Sequence, residues 1–561
     1  MNEYDVLEIL KRKLRDGTLT RREFLQAAGM FGIGTLGAAY LAGCAPAPTA
    51  TPVPPKPAEP TKPPAPAATA IPVPPTAPAL SGSLRFLVAE SFWSDWHPYM
   101  TTAASLTRIG FNLWDRLIMI ESDSYNDFQP ALALEWKQLD QLTLELKLRQ
   151  GVKFHEGQDF TADDVKASIE LASGATPIET LSRTTWVPTT VEIVDKYTVR
   201  LKTKTPFAPL MAWLSITPII RAGEDGDTLK KRPNGTGPFK LVKDEKDIKT
   251  MEGNPNYWRK GQPKLKTMVH EFVQDAQTRL NALLAGQADV IDRVPPEHWA
   301  TIKANANLVL EMKTRLENVN MWMRQDAKPP FNNYKLRQAF AWCIDREAMV
   351  KNLLGGASVV AKSFIPNLCN YFVEQQPVYT YNPDKALEAV KAAGFASIKD
   401  VPTVPISVTT GFLPRSVECV QYIIDNFQKV GFKTTLKTSD VAGMVDDLFS
   451  KADPKPGFMF HLSWGNQTGD PHSSLATLFR SPGAWAAPSD TKLDEMIDKG
   501  IQTVDPTERA KVYKDIQAYL WEQMPHIPLN NSDVATGYNN KVKGLILLGV
   551  GRQLFNNTSV G

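Results

Sequence analysis

The chain has 561 residues, of which 43% are hydrophobic and 22% are charged, and these proportions are typical of a soluble globular protein. Its net charge of +3 indicates neither a nucleic acid nor an anionic surface as a partner. About 480 residues follow residue 81, more than one hydrophobic core usually serves, so two or more lobes are expected.

Residues 1–43 have the pattern of an export signal. Arg21 and Arg22 precede a mildly apolar run of about fifteen residues, shorter than the roughly twenty that a permanent membrane helix needs. Leu41-Ala42-Gly43-Cys44 resembles the lipobox of bacterial lipoproteins, whose cysteine is acylated after cleavage. We expect a twin-arginine signal peptide and a protein anchored outside the cytoplasmic membrane through Cys44. The alternative is a buried amphipathic helix with an incidental cysteine.

Residues 44–81 read as a tether. They consist mostly of Pro, Ala, Thr and Val, with almost no aromatic or charged residue. Such a segment cannot bury enough apolar surface to become ordered. Its prolines favour polyproline II, which could hold the folded part up to roughly 100 Å from the membrane.

Strands and helices alternate through the remaining chain without a fixed repeat, which predicts α/β lobes. Strands are predicted at Ser83–Ala89 and at Thr143–Leu148, where apolar and polar residues alternate. Thr161 is a predicted helix N-cap. Further helices are predicted at 275–285, 335–344, 383–393, 417–430 and 507–523, three of which end at Gly286, Gly394 and Gly431.

Motifs of common enzymes are absent from the sequence. There is no G-x-S-x-G elbow, no phosphate-binding P-loop, no C-x-x-C and no H-E-x-x-H, and the seven histidines form no pair at metal-ligand spacing. Asn234–Pro238 is glycine-rich, but we interpret it as a tight structural turn. We expect no enzyme, cofactor or metal. One disulfide could form among Cys343, Cys369 and Cys419, leaving one thiol unpaired.

Residues 148–165 closely resemble the signature of the family 5 extracytoplasmic solute-binding proteins, the oligopeptide, dipeptide and nickel receptors of ABC importers. Other motifs of this family follow in the expected order. They are Thr205–Pro209, Gly235–Phe239, Asn254–Trp258, Ala285–Asp289, Leu336–Ala341, Ile344–Arg346, Tyr381–Pro383 and Pro525–Leu529.

The resemblance implies an α/β clamshell of two lobes, of the type II periplasmic-binding-protein kind. Lobe I would consist of 82–121, 234–315 and 525–561, with an inserted subdomain at 122–233, and lobe II would be 316–524. The hinge would lie at Leu316–Asn320 and Met524–His526. Solute bound between the lobes would stabilise the closed form through its higher affinity for that form.

The segment Ser463–Pro471 is implied to contact the solute. Peptide-binding relatives commonly carry W-x-x-D-x-x-D-P here, and the first aspartate pairs with the peptide ammonium. This chain has Trp464, Gly465, Asn466 and Gln467, with Asp470 as the second aspartate. Either the solute has no ammonium group, or another acid such as Glu90 or Asp95 supplies the charge.

Aromatic and amide side chains elsewhere are further candidates for contacting a solute, because a neutral amide and aromatic rings suit sugars as well as peptides. For each tryptophan other than Trp464, core packing is the alternative role. The candidates are Trp93, Trp96, Trp186, Asn320 and Trp322.

The resulting prediction is a monomeric lipoprotein that binds a solute, most often an oligopeptide in this family, and delivers it to the permease of an ABC transporter. An oligosaccharide or another polyol is the second solute class, followed by a nickel chelate, haem or other small cargo. Two other classes stay open at this point. They are an exported enzyme and a sensory receptor of the same fold.

Overall fold

The computed structural model describes residues 80–89, 96–99, 104–174, 186–325, 330–409, 413, 415–439, 443, 458–481 and 490–561. The predicted signal peptide, Cys44, the linker, Glu90, Trp93 and Asp95 lie outside these residues. No helix in the described ranges is long and apolar enough to cross a membrane.

The strands follow in chain order. They are β1 (Ser81–Val88), β2 (Ile118–Met119), β3 (Gln129–Pro130), β4 (Ala133–Gln138), β5 (Thr143–Leu148), β6 (Thr189–Asp195), β7 (Thr198–Thr203), β8 (Phe239–Asp244), β9 (Ile248–Gly253), β10 (Leu265–Phe272), β11 (Val290–Ile291), β12 (Leu308–Met323), β13 (Val359–Val360), β14 (Val404–Thr409), β15 (Thr434–Ser439), β16 (Met459–Gly465), β17 (His526–Asn539), β18 (Val542–Lys543), β19 (Ile546–Leu547), β20 (Gln553–Leu554) and β21 (Ser559–Val560).

The α-helices lie between these strands. They are α1 (Ala104–Leu113), α2 (Ala162–Ala172), α3 (Leu210–Leu214), α4 (Gly226–Lys231), α5 (Ala276–Leu284), α6 (Pro296–Lys303), α7 (Tyr334–Trp342), α8 (Arg346–Leu353), α9 (Pro383–Ala392), α10 (Ser416–Val430), α11 (His472–Leu478), α12 (Thr491–Gln502) and α13 (Pro506–Gln523).

The local predictions are confirmed to within a few residues. Strands β1 and β5 lie where alternation predicts them. Thr161 is the N-cap of α2, and its backbone N–H donates to the Asp164 carboxylate at 2.7 Å. The predicted stop of α10 at Gly431 is a left-handed residue with φ of 112°. These features depend on neighbouring residues, which is why the sequence reveals them.

One large sheet runs through the molecule in the order β15-β14-β16-β12-β17-β11-β1-β10-β9-β8, and β13 pairs with β17. The part around β1 and β8–β11 is called lobe I below, and the part around β13–β16 is called lobe II. Leu84, Phe86 and Val88 of β1 are buried in the core of lobe I.

Strands β12 and β17 belong to both lobes. They pair antiparallel from Leu308 opposite Asn539 to Trp322 opposite His526. The register shifts between Thr314 and Asn318, so the ladder is irregular where the chain passes from one lobe to the other. The paired part of β17 begins at His526, the last residue of the predicted second crossing, and a second register shift lies between Val319 and Asn320. The predicted lobe boundaries in the sequence stay predictions.

A separate antiparallel sheet, β4-β5-β7-β6, lies inside the predicted insert at 122–233 and packs against α2. Its buried side chains join one hydrophobic cluster with those of lobe II. The Phe207 ring meets the His472 ring edge-on at 5.8 Å, and the Ala208 N–H donates to the Ile501 carbonyl at 2.8 Å. The insert therefore packs directly on lobe II.

Candidate functional site

The loop Gly465–Pro471 connects β16 to α11. Gly465 lies opposite Glu317 on β12, the strand that runs through both lobes. The Asn466 N–H donates to the Leu316 carbonyl at 2.6 Å. The loop is thereby attached to the crossing strand at the level of the register shift.

Asn466 organises the loop from within. Its Oδ1 accepts from the N–H groups of Thr468 (3.1 Å) and Gly469 (2.8 Å), and its Nδ2 donates to the Asp470 carbonyl at 2.7 Å. The side chain is buried. Since both ends of its amide already have partners in the loop, we assign Asn466 to loop architecture and omit it from the solute contacts proposed below.

Asp470 forms a buried ion pair with Arg509 of α13. The guanidinium donates to both carboxylate oxygens, at 2.5 and 2.9 Å, and also to the hydroxyl of Tyr513. Burial is the largest single influence on the pKa of Arg509 and lowers it. The charge of Asp470, the hydrogen bond to Asp470 and the nearby tyrosines together outweigh burial and raise that pKa above its ordinary value. Asp470 therefore has its charge balanced by the protein, and we leave it out of the proposed solute contacts.

Gln467 differs from its neighbours in the loop. It is half-buried, and its side-chain amide makes no hydrogen bond with any residue that the structure describes. Only its backbone carbonyl is engaged, accepting from Arg552 Nη2 at 2.9 Å. An amide with free donors and a free acceptor at this place can bind an uncharged polar group of a ligand.

The loop also contacts the segment that follows β2. Gly469 has φ of 78°, and a Cβ at this position would lie 2.1 Å from Cβ of Tyr125, which follows β2. Nearby, Asn370 Nδ2 donates to Asn126 Oδ1 at 2.7 Å. These contacts attach the loop and its surroundings to the segment that follows β2.

The predicted residues on strands β12 and β16 have different surroundings. Trp464 is half-buried and lies opposite Asn318. Asn320 is buried, and its Nδ2 donates to the Asn318 carbonyl at 3.1 Å. Trp322 is fully buried, donates to the Leu462 carbonyl and packs on the His526 ring at 4.0 Å between centroids. Trp322 is part of the core, and we do not carry it into the proposed site.

The two other described tryptophans of the prediction lie apart from each other. Trp96 belongs to the core of lobe I, and its indole N–H donates to Asp244 at 2.6 Å. Trp186 packs edge-on against Trp213 at 5.7 Å and on Phe207 at 6.1 Å. The buried indole N–H groups of Trp186 and Trp213 have no partner among the described residues. Through Phe207 and His472, Trp186 is connected to the end of the Gly465–Pro471 loop.

The motifs interpreted as architecture have structural explanations. Added to Gly235, a Cβ would lie 2.0 Å from the Leu113 carbonyl oxygen, so the close approach of two backbones requires glycine there. His155 is half-buried and hydrogen-bonded to the Gly237 carbonyl at 3.0 Å. Within the described ranges no group of His, Cys, Asp and Glu could hold a metal. Cys343, Cys369 and Cys419 are buried thiols without a disulfide.

Several residues around the loop were missed by the sequence reasoning. They are Tyr125, Arg509 and Arg552, each of which touches the loop from a distant part of the chain. Arg509 follows Asp470 by 39 positions and Arg552 follows Gln467 by 85. No local pattern marks either arginine as a partner of the loop.

Comparisons with known proteins agree with this fold. Residues 127–486 match the family described as bacterial extracellular solute-binding proteins, family 5 Middle. The glutathione-binding protein GsiB of Salmonella paratyphi A is 29% identical over 428 residues, which are 73% of this chain and 81% of that protein.

Two solved structures show the same two-lobed fold. The dipeptide-binding protein of Pseudoalteromonas sp. SM9913, in complex with Met-Leu, has a TM-score of 0.74 and 21% identity, covering 86% of this chain and 100% of that one. NikA of Staphylococcus aureus, in complex with Ni(L-His)2, has a TM-score of 0.71 and 20% identity, with the same coverage. The predicted fold class is confirmed.

Proposed function

Since the chain belongs to the family 5 extracellular solute-binding proteins of ABC importers, we propose that it captures an oligopeptide between its lobes and delivers it to a permease. It acts as a monomeric receptor and releases its cargo chemically unchanged. Binding stabilises the closed form because the solute touches both lobes only in that form.

The observation that carries this proposal is the contrast within the loop Gly465–Pro471. Asn466 and Asp470 are fully engaged by protein groups, whereas the Gln467 amide is half-buried with no partner in the described part of the chain. A polar side chain that the fold leaves unsatisfied at a contact between lobes suits ligand recognition. Trp464 flanks it and offers an aromatic face to the same solute.

The relatives support a solute built from amino acids. One is a glutathione-binding protein, and another is solved with the dipeptide Met-Leu. A peptide presents backbone N–H and C=O groups that the neutral amide of Gln467 can bind from either side. The charge for the peptide ammonium then comes from another acid, with Glu90 and Asp95 as the proposed sources.

An oligosaccharide is the second solute class, and one observation favours it. The indole N–H groups of Trp186 and Trp213 are buried without partners in the described structure, and they lie near the loop through Phe207 and His472. A sugar hydroxyl placed beside this cluster could accept from one of these N–H groups.

The N-terminal segment supports a place outside the cytoplasmic membrane. We propose that residues 1–43 are removed after twin-arginine export, that Cys44 is acylated, and that residues 44–81 tether the receptor. Mass spectrometry of the membrane-bound protein would show a lipid-modified Cys44 at the N-terminus. An intact Met1, or an unmodified Cys44, would contradict this part.

Native mass spectrometry of the freshly purified protein tests the solute class. We expect a retained mass that fragments into amino acids, and a melting temperature that rises with an added peptide mixture. Stabilisation by cello-, xylo- or manno-oligosaccharides alone would replace the peptide by a sugar. Chemical conversion of any bound solute would overturn the receptor function.

A further inference from the structure

A small cavity in lobe I lies between the segment after α1 and strand β20. Its free volume is about 20 Å³, which is enough for one water molecule or a small ion. Its apolar lining includes Phe111, Ile120 and Leu554. Three charged residues also line it, namely Asp115, Arg116 and Arg552.

Both arginines are buried, with 4% of each residue exposed. Their guanidinium groups lie over the same ring, that of Phe111, at 3.5 Å for Arg116 and 4.4 Å for Arg552. Two positive charges therefore lie close to one ring and line the same cavity, in a place with little water. Such an arrangement is unfavourable unless negative charge compensates it.

Neither arginine has an ion-pair partner among the described residues. Arg552 makes one hydrogen bond, from Nη2 to the Gln467 carbonyl. Arg116 donates through Nη1 to the carbonyls of Gly110 and Trp114, and through Nε to that of Ile216. The remaining N–H groups, Nη2 of Arg116 and Nε and Nη1 of Arg552, are left for an occupant of the cavity.

The one carboxylate in the lining does not neutralise this pair. Asp115 accepts from the Tyr257 hydroxyl (2.9 Å), the Thr236 hydroxyl (2.9 Å) and the Trp258 indole N–H (2.8 Å). All of these donors are neutral. With Asp115 ionised, the cavity still carries one unit of positive charge.

Charged groups beyond the lining do not neutralise the positive charge of the cavity. Arg259 pairs with Glu121 at 2.7 Å, and Lys313 pairs with Asp123. Arg149 adds a further positive charge over the Trp258 ring. Burial first, and Arg552 second, lower the pKa of Arg116 to about 9. Arginine nevertheless keeps its proton in proteins, so a bound anion is the available way to relieve the charge.

We propose that this cavity binds one small monovalent anion, a halide or the carboxylate end of a larger molecule, in contact with both Arg116 and Arg552. Arg552 also donates to the Gln467 carbonyl, so its side chain links the bound anion to the loop of lobe II. The anion comes either from the medium or from the solute itself. The site exists independently of the proposed transport function.

Bromide is the probe for this site. The melting temperature of the mature chain is measured against bromide concentration, with methanesulfonate, which is neither a halide nor a carboxylate, holding the ionic strength constant. We expect a rise of about 2 °C, and an anomalous peak touching both guanidinium groups in a bromide-soaked crystal. Arg552→Met and Arg116→Met should each abolish the rise.

Arg337→Met is the matched control. Arg337 is a buried arginine of lobe II whose donors all go to the carbonyls of Phe331, Gln523 and Met524. This variant should lose stability but keep the bromide response. An unchanged melting temperature together with no anomalous peak, or a response that survives in both cavity variants, would overturn the proposal.

A peptide and its C-terminal amide identify the source of the anion. If the solute supplies the carboxylate, bromide competes with the peptide, and amidation weakens binding to the wild type but not to Arg552→Met. If the anion is inorganic, bromide leaves peptide affinity unchanged. Failure to bind any peptide would reject the proposed solute and leave the bromide result fully interpretable.

Discussion

Buried arginine occurs in two very different settings on the two sides of the Gly465–Pro471 loop. In lobe II, Arg509 faces a carboxylate and makes a two-pronged ion pair with Asp470. In lobe I, Arg116 and Arg552 share the Phe111 ring and have no carboxylate partner among the described residues. The surroundings move the pKa in opposite directions, upward for Arg509 and downward to about 10 for Arg552.

This contrast distinguishes polar groups that stabilise the fold from polar groups that are available to bind a ligand. A charge that is balanced inside the protein fixes the shape of a loop and is closed to a ligand. A buried charge that the fold leaves unpaired costs stability unless something else binds it. The half-buried amide of Gln467 has no hydrogen-bond partner among the described residues and is available to a ligand. The candidate binding groups are therefore the polar groups without protein partners, rather than the strongest interactions in the molecule.

The largest expected effect comes from breaking the balanced pair. Arg509→Met leaves Asp470 buried and unpaired, and should lower the free energy of unfolding by about 3–5 kcal/mol. Arg552→Met removes an uncompensated charge and one hydrogen bond, and should cost about 1 kcal/mol or less. Urea denaturation of both variants measures the difference.

The double variant Arg509→Met with Asp470→Leu is the control for this comparison. It removes both charges and should recover much of the lost stability. Equal losses in Arg509→Met and Arg552→Met would show that the two settings do not differ.

The next effect concerns the contact between the loop and Tyr125. Gly469→Ala places a methyl group into the Tyr125 side chain at a left-handed residue, and should cost about 2–3 kcal/mol. Gly465→Ala is the matched control, because the added Cβ would meet only the Leu316 carbonyl oxygen at 3.9 Å. Thermal unfolding distinguishes them, and similar losses would mean that the close approach at Gly469 does not exist.

Acid pH tests another buried group near the loop, because the arginine side chains themselves stay protonated there. Burial lowers the pKa of His461, on the strand before the loop, from 6.5 to about 4. Between these values the unfolded chain takes up a proton that the folded protein does not, so stability falls as pH drops. From pH 7 to pH 5 this site should remove about 2 kcal/mol.

His461→Gln provides the difference measurement for this acid effect. The variant should lose about 2 kcal/mol less than the wild type over the same pH range. Although the variant also changes the hydrogen bond to Ser416, that loss is the same at both pH values. Parallel stability curves for the two proteins would contradict a buried, neutral histidine.

The smallest expected effect tests the loop position where peptide-binding relatives commonly carry aspartate. Gln467→Asp adds a charged acceptor for a peptide ammonium and should lower the Kd for a peptide about tenfold. Gln467→Asn introduces a side chain as long as that of aspartate but without the charge, and it should not improve binding. Calorimetric titration gives both constants, and equal affinities for the two variants would remove this position from solute selection.

The sequence predicted the parts of the fold that depend on neighbouring residues. The N-cap Thr161, the stop at Gly431 and the alternation in β5 are set by residues within a few positions. The family motifs added the two-lobed arrangement, which local patterns alone do not give.

The partners of the loop could not be predicted, because they depend on contacts between distant segments. Nothing near Asp470 indicates that Arg509 neutralises it, and nothing near Gln467 points to Arg552. Likewise, the sequence does not show whether a tryptophan on β12 or β16 faces the core or lies beside the loop. Trp322 packs on His526 in the core, whereas Trp464 is half-buried beside the loop.

Small-angle X-ray scattering of the cargo-free mature protein, with and without a peptide shown separately to bind, tests most directly whether the lobes close on a solute. We predict a smaller radius of gyration with the peptide. Superimposable curves at saturating peptide would contradict closure around the cargo.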